Sequence, residues 1–288
     1  MLKAEVKEHL KNDIIPFWQG MKDEVYGGFY GYLGFDLKLD KEAVKGCILN
    51  SRILWFFSNA YMILGEKSLL ESARHAFLFL KEHCVDRQYG GVYWSLNYKG
   101  EPDDTTKHTY NQAFAIYALS SYYDASRDEE ALEIAHSLYN LVETKCKDEY
   151  GYLEAFSRNF EPVDNDKLSE NGVLAEKTMN TLLHVFEAYT ELYRVAGEAF
   201  VQIIFGLCWI SLLIKSIIRN LVVRRFSLTE HGIHLLICTP MGMISRQHGL
   251  LTEDLEFLVM QFIRRSLHQS RKQLRKTFIT EHILIIHW

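Results

Sequence analysis

Between Glu176 and Tyr193, Met179, Leu182, Leu183, Phe186, Tyr189 and Tyr193 recur at three- and four-residue steps, the period of one buried stripe on a helix. Asn180, His184, Glu187 and Glu191 keep the same period on a second, polar stripe. Asn180 and His184 are one turn apart, so their side chains share a direction. A polar stripe between apolar flanks faces either bulk water or a wet cavity. The same period predicts helices near 51–64 and 68–83, then near 109–125 and 128–145. An earlier helix is expected from Glu5 to Gln19, ending near Pro16. The helices near 51–64, 109–125 and 176–193 are aromatic and apolar nearly all round, which predicts an inner position. Those near 68–83 and 128–145 carry more charge and should lie outside.

Turns separate the helix pairs at a regular interval. Tyr26-Gly27-Gly28-Phe29-Tyr30 recurs as Tyr89-Gly90-Gly91-Val92-Tyr93 after 63 residues, and as Tyr150-Gly151-Tyr152 after 61 more. Paired glycines between aromatics suit a tight turn or short hairpin, because glycine reaches backbone angles closed to other residues. Helix pairs at a fixed period describe an all-α fold of the α/α toroid kind, an inner ring wrapped by an outer one. Closing such a ring takes about six pairs, or roughly 370 residues. Residues 1–197 supply the first half of it.

Composition divides the chain at the same place. From Glu198 onward there are 11 Lys/Arg and 6 Asp/Glu, whereas residues 1–197 hold 21 and 31. All 16 tyrosines precede Glu198, and the last 91 residues contain one alanine, Ala199, but 14 isoleucines against 7 before them. The expected organisation is therefore a half-toroid over 1–197 and a tail of different character over 198–288. The five cysteines are widely spaced with no CxxC pair. That usage predicts reduced thiols in a cytoplasmic protein rather than a zinc site or a disulfide framework. The charged, amphipathic start MLKAEVKEHL does not read as a signal peptide.

The candidate chemistry sits at the N-terminal ends of the inner helices: Asn50, Ser51 and Arg52; Lys107, His108, Tyr110 and Asn111; Asn180 and His184. Taken singly, Arg52 suits a surface ion pair, Tyr110 and Trp55 suit a core, and His108 suits a helix cap. Taken together, a toroid collects these places around one pocket of guanidinium, phenol, amide and imidazole, which hydrogen-bonds hydroxyls and polarises a carbonyl. No carboxylate pair for glycoside hydrolysis, phosphate loop or clustered His/Cys metal ligands accompanies them.

The run Gly46-Cys47-Ile48-Leu49-Asn50-Ser51-Arg52-Ile53-Leu54-Trp55-Phe56-Phe57, the segment Lys107-His108-Thr109-Tyr110-Asn111, and Lys177-Thr178-Met179-Asn180 with His184 closely resemble the cellobiose 2-epimerases of the N-acylglucosamine 2-epimerase superfamily. The resemblance covers residues 1 to about 197. It implies an (α/α)6 barrel that inverts carbon 2 of the reducing-end glucose of cellobiose, and of related β-1,4 disaccharides such as lactose, through ring opening and a cis-enediolate, without a cofactor. By the same resemblance, Arg52 stabilises the enediolate oxygen and His184 assists proton transfer around ring opening, while Tyr110 and Asn180 hold sugar hydroxyls. Three further readings remain: an N-acylglucosamine 2-epimerase, a non-catalytic sugar-binding fragment, and a membrane-tethered fragment.

The resemblance stops at the compositional break. Two further histidines that such enzymes use as an acid/base pair belong to the family's second half, and no Tyr-Gly-His-Asp or Tyr-Gly-His-Glu occurs here. This chain is therefore expected to be inactive or weak. Pro240-Met241-Gly242-Met243-Ile244 must be encoded as CCN ATG GGN ATG ATH; one nucleotide earlier these bases read NAT GGG NAT GAT, which permits Tyr-Gly-His-Asp. The tail thus reads as a frame-shifted translation. Phe200–Ile214 is apolar, but its 15 residues fall short of a membrane span of ~20. The basic run Arg271–Lys276 reads as a solvated face, not a nucleic-acid patch. Sequencing the encoding DNA is expected to find family motifs in the adjacent frame; an intact frame with none there would refute the shift.

Overall fold

The computed structural model describes residues 2–148, 151–165 and 175–196, together with the strand pair 226–229 and 232–235. All of them belong to one compact unit, Met1–Leu236. The N-terminal helix does not stop near Pro16: α1 (Leu2–His9) passes through a π-helical turn, Leu10–Ile14, into α2 (Ile15–Gly20). The wider turn breaks the hydrogen-bond register ahead of Pro16. The proline then sits in the first turn of α2, where no backbone donor is needed.

The expected inner and outer rows are present. α3 (Cys47–Leu64), α5 (Thr109–Ser126) and α7 (Met179–Ala196) pack side by side, with α5 in the middle. α4 (Lys67–Phe79) lies against α3, and α6 (Glu129–Leu141) against α5. Both outer helices run on into π-helical turns, Leu80–Cys84 and Val142–Cys146, which bury their leucine or valine and their cysteine. Surrounded by neighbours, α5 buries polar residues as well as apolar ones. Ser120 Oγ donates to the Ile116 carbonyl, and Ser121 Oγ donates to Glu191 of α7, both at 2.7 Å. α3 begins a turn earlier than its apolar pattern predicts. α7 begins at Met179 rather than Glu176, because Lys177–Thr178 is extended.

Each inner helix starts from a two-residue strand: Lys45–Gly46, Lys107–His108 and Lys177–Thr178. These pair antiparallel with Ser95–Leu96, Ala155–Phe156 and Phe226–Thr229 respectively. The lysine that opens each strand is buried. Lys45 Nζ donates to Asp23 Oδ2 at 2.6 Å and to the Gly27 carbonyl at 2.8 Å. One repeat on, Lys107 Nζ donates to Asp86 Oδ2 at 3.1 Å and to the Gly90 carbonyl at 3.0 Å. The second oxygen of each aspartate caps the turn that follows it, accepting from Val25 and Tyr26, or from Gln88 and Tyr89.

The glycine pairs are obligatory in these turns. Gly28 and Gly91 sit at φ +67° and +74°, and a Cβ there would lie 2.7 Å and 2.8 Å from the rings of Phe79 and Phe160. The first turn of each helix then grips the turn: Asn50 Oδ1 accepts from the Phe29 amide at 3.0 Å, and Gln112 Oε1 from the Val92 amide at 2.7 Å. In the third repeat Lys177 reaches Asp148 at 2.7 Å, and Glu154 pins α7 by accepting from the Thr178 amide and the Thr181 hydroxyl, both at 2.6 Å.

Burial alone would raise the Asp86 carboxyl, but Arg158, the Gln88 amide and Lys107 hold it well below the usual carboxylate range. Burial pulls Lys107 down to about 8 against the pull of Asp86. Both partners are therefore charged at neutral pH. Among the described residues no helix is long and apolar enough to cross a membrane, and Phe200–Ile214 lies outside them. Lys45→Met strands the Asp23 carboxylate, which is 1% exposed, and is expected to cost about 3–5 kcal/mol in urea unfolding. An unchanged midpoint would show that the pair does not hold the repeat.

Candidate functional site

A cavity of about 490 Å³ opens along the inner row and is walled by aromatic rings. Trp18 of α2, Trp55 and Phe56 of α3, and Phe114 and Tyr117 of α5 form its sides. Trp55 stacks on Tyr117 with ring centres 5.4 Å apart. Into this shell project three charged or titratable groups: Arg52 from α3, and His184 and Glu187 from α7.

The groups are ordered by contact. The Arg52 guanidinium lies 4.9 Å above the Phe114 ring. Among the described residues it has no carboxylate partner. His184 packs between two rings, 4.7 Å from Phe114 and 4.8 Å edge-on to Tyr110. Its Nδ1 lies 2.7 Å from Glu187 Oε2. The Asn180 side chain lies near enough to the Tyr110 hydroxyl to stabilise its ionised form. Burial raises the Tyr110 phenol above its ordinary value; Arg52 and Asn180 pull it down, while Glu187 pushes it up. Burial likewise raises Tyr117, with Glu187 and Glu191 adding to it. Both phenols are thus neutral donors at physiological pH.

Of the four residues singled out in the sequence, Arg52 and His184 line the cavity, while Tyr110, packed on the His184 ring, and Asn180 are brought together beside them without lining it. The other polar groups at the helix starts are not brought there. Lys107 is fully buried in its ion pair with Asp86, pointing into the repeat rather than the cavity. Asn50 holds the Phe29 amide, Ser51 donates to the Cys47 carbonyl, and Asn111 donates to the Tyr93 carbonyl. His108 occupies the N-cap position without a side-chain capping bond and packs against Trp94 at 4.6 Å. The reason is geometric. Successive residues of a helix start turn by about 100°, so only one or two in each repeat face inward. Trp55, read from sequence as core, lines the cavity instead.

Sequence reasoning passed over Glu187 and Tyr117. Glu187 was visible as the third member of the polar stripe, three residues after His184, and these two members of the stripe line the cavity. Tyr117 is one of many aromatics in an apolar helix, and nothing in the sequence sets it apart. Cys47, Cys84 and Cys146 are buried and unbridged, while Cys208 and Cys238 lie outside the described residues.

Comparison with known proteins places these residues in context. The model of the N-acylglucosamine 2-epimerase (GlcNAc 2-epimerase) family matches residues 28–198. A cellobiose 2-epimerase of Ruminococcus albus is 58% identical over 198 residues, which is 69% of this chain and 51% of that protein. One of Eubacterium cellulosolvens is 60% identical over 192 residues, 67% of this chain and 47% of that protein. The crystal structure of a sugar epimerase from a ruminal bacterium superposes with a TM-score of 0.71 at 55% identity, covering 72% of this chain and 54% of the other. The chain spans about half the length of the curated relatives it matches.

The electrostatics of the pocket predict a measurable ordering. With 13C-labelled tyrosine followed by NMR through the alkaline range, Arg52→Met should delay the ionisation of Tyr110 and Glu187→Gln should advance it. A Tyr110 signal unmoved by both changes would contradict the arrangement.

Proposed function

This chain belongs to the N-acylglucosamine 2-epimerase family, and on that premise we propose that its cavity is half of a site that epimerises cellobiose at carbon 2 of the reducing-end glucose. Lactose and other β-1,4 disaccharides are the related substrates. The observation that carries this reading is a guanidinium with no carboxylate partner among the described residues and a held imidazole, both lining one aromatic-walled cavity.

The chemistry asks little more of this half. Ring opening moves the anomeric hydroxyl proton to the ring oxygen as the C1–O5 bond breaks. An imidazole that takes that proton and returns it, the role assigned to His184, makes the exchange feasible near neutral pH. Removal of the carbon-2 proton, made acidic by the adjacent aldehyde, gives a cis-enediolate. Its developing negative oxygen is met by Arg52, which has no carboxylate partner among the described residues. Tyr110 and Asn180 hold sugar hydroxyls, and return of a proton to the opposite face gives the mannose epimer. The proton leaves and returns at one carbon, so the reaction is redox-neutral.

The groups that add and remove the carbon-2 proton are assigned to the part of the family's chain that residues 198–288 do not match. We assign that mismatch to a shifted reading frame, and the half-toroid to residues 1–197. As it stands, the chain is expected to turn over little or no cellobiose. A second reading, a sugar-binding fragment, is favoured by the stacked Trp55 and Tyr117 and would show as heat released on cellobiose titration.

Incubation with cellobiose, followed by chromatography for glucosyl-mannose, should give no appreciable product from this chain. It should give product once the frame is restored at the break. Turnover by the present chain would refute its inactivity, and an inert restored chain would refute the assigned reaction.

A further inference from the structure

Glu187 stands apart from an ordinary surface acid one helical turn from a histidine. Such exposed pairs are weak and fix little. Here Glu187 is itself 47% exposed, but the histidine is only 16% exposed and packed between the Tyr110 and Phe114 rings, so the imidazole plane has little freedom to turn. Glu187 lines the same cavity, and His184 is its hydrogen-bond partner among the described residues. The carboxylate accepts, so Nδ1 must donate, and in the neutral ring the proton on Nδ1 leaves Nε2 as a lone-pair acceptor. Nε2 has no hydrogen-bond partner among the described residues and is not among their buried unsatisfied atoms, so it is solvent-accessible on a residue that lines the cavity.

We propose that Glu187 is a positioning residue: by holding the Nδ1 proton it fixes one tautomer of His184 and presents Nε2 to the cavity as the proton acceptor. An acid behind an imidazole supplies the orienting third group that histidine bases need. Its consequence for catalysis rests on the proposed epimerase reading, in which His184 takes a proton from a sugar hydroxyl. The tautomer itself does not depend on that reading. Without Glu187 the ring would be free to place its proton on Nε2, and the cavity would face a donor instead of an acceptor.

The test is long-range 1H–15N correlation NMR of the full chain with 15N-labelled histidine, the pH being raised until the imidazole signals no longer move. The His184 signals are assigned by their loss in His184→Gln. Wild type and Glu187→Gln, whose amide oxygen still accepts, should show the Nδ1–H form as the major species. Glu187→Ala should lose that form as the major species. A merely structural contact would leave the tautomer ratio unmoved. An Nε2–H majority in wild type, or a Glu187→Ala spectrum like wild type, would overturn the proposal. If the alanine variant does not fold, wild type and Glu187→Gln decide it. The cellobiose assay fails or succeeds independently of this outcome.

Discussion

A lysine ammonium with none of its surface in water must find its counter-charge inside the protein, and the whole repeat is arranged around that need. Lys45 finds Asp23 and Lys107 finds Asp86, both at full burial. A paired charge this deep contributes little net stability over an apolar substitute, since desolvation offsets most of the attraction. What it contributes is uniqueness. The ammonium has three protons and the carboxylate several lone pairs, and they are satisfied together only when the strand, the aspartate turn and the glycine carbonyl are in one relative position. The asparagine or glutamine in the first turn of the helix then locks the same turn from the other side.

That constraint sets where the inner helices begin, and the beginnings set the cavity. With α3, α5 and α7 started from equivalent strands, Arg52, Tyr110 and His184 arrive within ring-contact distance of Phe114 or of one another. The site is thus a by-product of register rather than of a dedicated loop. In the third repeat the aspartate is a third exposed, and the pinning passes to Glu154, whose carboxyl burial raises above its ordinary value. Glu154 serves two repeats at once: its carbonyl accepts from the Thr109 amide of α5 while its side chain holds α7.

The helices, their inner and outer rows, and the half-ring were legible because amphipathic period and helix-pair spacing are local signals. The helix starts that carry Arg52, Tyr110, Asn180 and His184 were legible from their equivalent places in the repeats, but only the family resemblance set these four apart from their neighbours. The ion pairs were not, because Asp23 and Lys45 stand 22 residues apart and a lysine in sequence reads as surface. One signal was available: an aspartate two or three residues ahead of each Tyr-Gly turn, at 23, 86 and 148, answered by a lysine just before each inner helix. The π-helical turn before Pro16 was illegible for a different reason. Proline marks where a helix cannot keep its usual register, but not whether the chain will break or widen there.

Native-state hydrogen exchange tests most directly whether the stapled turn is the keystone. The amides of Phe29 and Val92, accepted by Asn50 and Gln112, should exchange only when the whole unit unfolds, with the same protection as amides in the middle of α5. Exchange of those two amides through local opening, orders of magnitude faster than the α5 interior, would contradict it.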